Sequence, residues 1–259
     1  MRFISFICLL SATLLISPLH VIAASVTQSD EAEPEIEVKI SPREIRNYSR
    51  VAQKYDVLYT QILDEVRGGR FDIGRVNVLR DYYTKTSHYT AFSKSVIRQL
   101  EFYAYTADTS ENLQEKNSAL SAYKALADKH VVNLDVVTYM LGLSRINIRF
   151  GDETFLKALQ KKLKDGFDIT LGQKPISAFN IVTYGEETYI LNKIGGVVEK
   201  SEIYPVNNAF YNVHDIRLRD GSFRQVFVNV SVPVRRMKVK QLAAEQDDFS
   251  DIVGGVGDL

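Results

Sequence analysis

Arg224-Gln225-Val226-Phe227-Val228-Asn229-Val230-Ser231-Val232 is the stretch on which the fold turns. Valines at 226, 228, 230 and 232 alternate with Gln225, Phe227, Asn229 and Ser231, and a period of two puts the valines on one face of a strand. Four segments upstream share the β-rich composition of Val, Ile, Tyr and Phe: 176–184, 188–194, 197–204 and 209–218. Gly185-Glu186, Gly195-Gly196, Asn207-Asn208 and Asp220-Gly221 separate the segments, and Asp-Gly suits the positive φ values of a type I′ hairpin. With the last strand running over 223–234, residues 166–234 read as a five-stranded antiparallel meander.

Before Gly166 the period changes to that of a helix. Ser41-Pro42-Arg43-Glu44 combines a capping hydroxyl, a proline suited to the first turn and a glutamate able to close a capping box. Ile45, Tyr48, Ala52, Tyr55, Tyr59, Ile62 and Val66 follow at spacings of three and four, which gathers them on one helical face before Gly68-Gly69 stops the helix. Further helical segments read as 72–84, 90–107, 110–129, 134–149 and 153–164, the last capped by Asp152. Residues 41–165 are therefore expected to form an antiparallel helical array. Ala119, Tyr123, Ala127 and Leu141-Gly142 match scattered positions of a tetratricopeptide repeat, in at most two degenerate units. The fold class is α+β, with tetratricopeptide-like helix pairs first and a β-meander after them.

The two ends of the chain read differently. Residues 1–23 carry Arg2, an almost wholly apolar run from Phe3 to Ile16, Pro18 and the small residues before Ala24, which is the pattern of a secretory signal peptide. The run is shorter than the roughly 20 residues a membrane span requires. Residues 24–40 are an acidic leader with Asp30, Glu31, Glu33, Glu35 and Glu37, in which Ile36 to Ile40 alternates as an edge strand would. Residues 235–259 read as a flexible charged tail, basic at Arg235, Arg236, Lys238 and Lys240 and acidic at Asp247, Asp248 and Asp251.

Composition narrows the function. The 259 residues hold 32 Lys plus Arg against 32 Asp plus Glu, with no Trp and one Cys. That balance lacks the positive field of a nucleic-acid binder, and removing residues 1–23 takes away both Arg2 and Cys8. An exported chain without thiols folds without disulfides. The expected location is periplasmic or secreted, with no stable membrane insertion once the signal is cleaved. No segment carries a Gly-x-Ser-x-Gly elbow, a phosphate-binding glycine loop or histidines at metal-ligand spacing, so no metal and no cofactor is expected.

Three groups of residues remain as candidates. Arg80, Tyr83, Tyr89 and Phe92 belong to an aromatic concentration that suits either packing between helices or a partner-binding surface. Glu186 and Glu187, read as lying in a hairpin turn, and His214 would serve a site at the junction of helices and sheet. Arg235, Arg236, Lys238 and Lys240 form a short basic run suited to an anionic surface.

Several short motifs, in order, resemble the domain of unknown function 4919 family of exported bacterial proteins. They are Phe71 with Leu79-Arg80, Tyr83, Thr86 and Tyr89; the junction from Leu126 to Asp135; Ala178 to Leu191 with Glu186-Glu187; Phe210-Tyr211-Asn212-Val213; and Phe227 to Pro233. The resemblance spans roughly residues 55 to 235. The chain departs from it at Val136-Val137, where the family carries Ala-His, at Thr170-Leu171-Gly172-Gln173, where it carries Ser-Gly-Asp-Gly, and at Tyr211-Asn212, where it carries Tyr-Asp. The resemblance implies export and architecture and supplies no activity. Taken together, these residues lead to the expectation of a non-enzymatic module that binds unidentified envelope proteins, with a periplasmic hydrolase or ligand-binding protein as the alternative.

Overall fold

A computed structural model of the chain describes residues 38–168, 170–206 and 208–254, with side chains described to residue 245. The expected signal peptide, nearly all of the expected acidic leader and the last five residues lie outside the described residues; Val38, Lys39 and Ile40 are not in a strand. Seven helices come first: α1 Pro42–Arg46, α2 Tyr48–Arg67, α3 Ile73–Tyr83, α4 Lys94–Thr109, α5 Leu113–His130, α6 Leu134–Ile146 and α7 Glu153–Asp165. Then follow β1 Phe179–Asn180, α8 Tyr184–Ile194, β2 Val197–Val206, β3 Ala209–Arg217, β4 Phe223–Asn229 and α9 Ser231–Gly254. The class is α+β.

The helix boundaries follow their caps. Ser41 Oγ accepts from Glu44 N at 3.2 Å, and Pro42 opens the first turn. Asp72, Asn112, Asn133 and Asp152 each accept backbone amides at the starts of α3, α5, α6 and α7, filling donors that a helix start leaves open. Helix α2 buries Ala52, Tyr59, Ile62, Leu63 and Val66, the apolar face set by the three-and-four spacing. Consecutive helices pack on one another as α2 with α3, α4 with α5 and α6 with α7. Their inward faces merge in one cluster running from Tyr59 to Leu163.

The sheet has the order β1-β4-β3-β2. Strands β2, β3 and β4 are antiparallel neighbours in chain order, while the two-residue β1 joins β4 in parallel, so the full five-stranded meander gives way to a mixed four-stranded sheet. Val226, Val228 and Val230 are buried, as their alternation requires, whereas Val232 lies beyond the strand and is exposed.

Three segments differ from expectation. Of residues 176–184, expected as one strand, only Phe179–Asn180 is strand, and Tyr184 already opens helix α8. Residues 188–194, expected as a strand, belong to helix α8, which also takes in Glu186 and Glu187. Burial of Glu186, Glu187 and Ile190 at helical spacing outweighs the β preference of Thr188, Tyr189 and Ile190. Gly185 allows this seating, because a Cβ there would lie 2.3 Å from Asp135 Oδ2 at the start of α6. Gly185→Ala should cost about 1–3 kcal/mol in chemical denaturation, through forced displacement of α8. The basic part of the expected flexible tail is helix α9, which packs on α1, α2 and β3 and buries Val239 and Ala243.

Candidate functional site

The site forms where α8 begins. Successive residues of an α-helix point about 100° apart. Glu186 and Glu187 therefore reach in different directions, one toward the helices and the other toward the sheet. Glu186 Oε1 accepts from Arg80 Nη2 of α3 at 2.8 Å, and Glu186 Oε2 accepts from Val182 N at 2.7 Å. Full burial pushes the Glu186 carboxyl above its ordinary range, against the opposing pull of Arg80 and the two backbone amides. The Arg80 guanidinium also stands over the Phe167 ring at 5.7 Å, which shields the pair from water.

Glu187 faces β3. Its Oε1 accepts from Asn212 Nδ2 at 2.7 Å and from His214 Nε2 at 2.9 Å. Across the ring, His214 Nδ1 lies 2.8 Å from Ser201 Oγ of β2, the residue directly opposite in the ladder. With Nε2–H donated to the carboxylate, the remaining ring nitrogen accepts the serine hydroxyl. His214 and Glu187 are buried while Ser201 is exposed, so the chain of contacts runs from the interior to the surface.

The structure thus brings Glu186, Glu187 and His214 into one junction, but in a helix rather than the hairpin turn expected for the glutamates. Ser201 and Asn212 are the site residues that sequence reasoning missed. A signal for Ser201 was present: extending the 197–204 and 209–218 strands from a turn at Asn207-Asn208 sets position 201 opposite 214.

The other two candidate groups are placed differently. Tyr83 is fully buried, Tyr89 nearly so, and the Arg80 side chain is 15% exposed. Tyr83 OH meets His130 Nδ1 at 2.9 Å, and Tyr89 OH donates to Val182 O at 2.6 Å. These rings fill the space between helices, where each hydroxyl finds a buried partner, and they do not form the expected partner-binding surface. Phe92 alone of that group is exposed, and it stacks on Tyr184 with centroids 5.0 Å apart.

The basic residues on α9 fall on two sides of the helix, Arg235 with Lys238 and Arg236 with Lys240, by their spacings of three and four. Arg235 pairs with Glu44 at 3.4 Å, Lys240 Nζ donates to Tyr89 O at 3.4 Å, and Arg236 lines an open concavity of about 260 Å³ with Tyr48 and Val51. Lys238 is half-buried. The expected anionic-surface site is thereby divided among separate contacts.

Comparison with protein-family models, with curated proteins and with solved structures gives no match.

Proposed function

We propose that this chain is an exported interaction module that receives an extended segment of a partner protein along the outer edge of β2. The observation that carries the reading is that edge itself. β2 is the outermost strand of the sheet over ten residues, and Val197, Val198, Ile203, Tyr204 and Val206 along it are between 38% and 47% exposed. An outer strand with apolar side chains suits partner binding by strand addition.

The direction of its backbone groups follows from β3. Phe210 N donates to Ser231 Oγ at 2.9 Å and Phe210 O accepts from Val230 N at 2.8 Å, so both groups of Phe210 face away from β2. Pro205 stands opposite Phe210 and belongs to a pair without ladder hydrogen bonds. By alternation, Ile203 and Ser201 share that parity and direct their amides and carbonyls outward. Among the described residues no strand pairs with them. The irregularity between Val198 and Lys200 at one end, and Pro205 at the other, confine pairing to a short window, which favours a peptide segment over open-ended sheet growth.

Export rests on residues 1–23, and the consecutive helix pairs support a tetratricopeptide-like reading of the helical half as the scaffold behind the sheet. The test is crosslinking of the processed chain in envelope extracts, comparing wild type with Ile203→Lys. Ile203 is 47% exposed, so the fold should melt unchanged by circular dichroism. A partner recovered with wild type and reduced at least tenfold by Ile203→Lys supports the reading. A partner equally retained by both forms, or none under several crosslinkers, contradicts it.

A further inference from the structure

We propose that Ser201, His214 and Glu187 constitute an acyl-transfer site on the face of the sheet, with carboxylic esters as the substrate class. A serine nucleophile needs three things: a base in hydrogen-bond reach, a group that fixes the base, and access to substrate. Ser201 Oγ lies 2.8 Å from His214 Nδ1, and His214 Nε2 lies 2.9 Å from Glu187 Oε1. Asn212 Nδ2 holds the same carboxylate oxygen at 2.7 Å, which fixes the carboxylate in turn. The histidine and glutamate are buried and the serine is exposed, so the base is sheltered while the nucleophile is open to solvent.

The order of ring nitrogens follows from the ladder. Ser201 and His214 are directly opposite across β2 and β3, which sets Nδ1 of the imidazole toward the serine and Nε2 toward the helix. The outward-directed amide of Ser201, on the open edge of β2, is a backbone donor available to a developing oxyanion. Ile203 lies two residues along on the same face of β2 and is 47% exposed, offering an apolar surface for an acyl chain.

The reaction balances without a further reagent. Ser201 Oγ bonds to the ester carbonyl carbon and its proton passes to His214 Nδ1. The carbon–oxygen bond to the alcohol breaks, and the alcohol leaves with that proton. Water, deprotonated by His214, then attacks the acyl-serine, releasing the carboxylic acid and returning the proton to Ser201. Glu187 is the positioning residue, since it holds the Nε2–H tautomer and stabilises the imidazolium between the steps.

The processed chain is incubated with a fluorophosphonate probe and, separately, with p-nitrophenyl butyrate, and the adduct is located by peptide mass mapping. One adduct at Ser201 and ester turnover are expected, both lost in Ser201→Ala, a substitution at an exposed position. Glu187→Gln should lower the labelling rate about a hundredfold or more, as loss of the orienting carboxylate does in serine hydrolases. Glu187→Asp should recover part of that loss if the carboxylate acts on the ring rather than on folding. No adduct on wild type, an adduct elsewhere, or labelling indifferent to Ser201→Ala overturns the proposal and leaves the contacts as a tie between β2 and α8.

Discussion

Replacing Arg80 with methionine is expected to remove about 3–5 kcal/mol of folding free energy, the cost of leaving a buried charge without its partner. Glu186 is 0% exposed and receives one of its hydrogen bonds from Arg80 Nη2 at 2.8 Å. Burial already pushes the Glu186 carboxyl upward, and Arg80 is the largest influence opposing that push. Without Arg80 the group must either ionise without a counter-charge or take up a proton at neutral pH. The double variant Arg80→Met with Glu186→Leu should recover most of the loss, because an apolar pair of similar volume requires no desolvation of charge. About 1 kcal/mol should stay missing for the Val182 amide, which Glu186 now satisfies. Urea denaturation at pH 7.5 measures all three forms. An Arg80→Met variant within 1 kcal/mol of wild type would show that the pair does not fasten α3 to α8.

Mild acid should destabilise the helical half through His88 and His130. Burial lowers His88 to about 4, with Asp56 opposing and Lys129 adding to the shift. Burial also lowers His130 to about 3, helped by His88, Lys129 and Lys240. The rings stand 5.6 Å apart, with Asp56 Oδ1 3.3 Å from His88 Nδ1 and Tyr83 OH at His130 Nδ1. Folded values below the ordinary 6.5 mean that the unfolded chain takes up the protons first. Stability is therefore fully present above about pH 6.5 and declines as pH falls toward 4. By pH 5 each histidine should have cost about 2 kcal/mol, a sizeable share of the stability of a single domain. Glu186 acts in the opposite direction, since its raised value favours the fold as pH falls. Urea midpoints between pH 7.5 and 5 measure the slope. The variant His88→Gln with His130→Gln should flatten it whatever its absolute stability, and an unchanged slope would assign the acid sensitivity elsewhere.

What the sequence discloses depends on whether a residue acts on its neighbours along the chain or across the fold. Ser41, Asp152 and the alternating Val226, Val228 and Val230 work through local geometry, and each is where its pattern puts it. Residues 188–194 have the composition of a strand and Gly185-Glu186 that of a turn, whereas helix α8 seats Gly185 against Asp135 and Glu186 against Arg80, two contacts from distant helices. The polar residues of α9 obscure the few that are buried: Pro233, Val239 and Ala243 are too widely spaced to mark a face against so many charges. Tyr83 and Tyr89 carry hydroxyls suited to a surface, yet buried acceptors at His130 and Val182 satisfy them inside. Glu187 and His214 were visible as residue types, but their meeting requires α8 to pack on the sheet.

The central claim is that the outer edge of β2 is open in the isolated chain and is where contact occurs. Amide hydrogen exchange resolved to single residues tests it. Ser201 and Ile203 should exchange rapidly in dilute protein while Glu202 and Tyr204, paired toward β3, are protected, and the crosslinked partner should protect Ser201 and Ile203 as well. Protection of Ser201 and Ile203 in the dilute isolated chain, or their continued fast exchange with the partner bound, would contradict it.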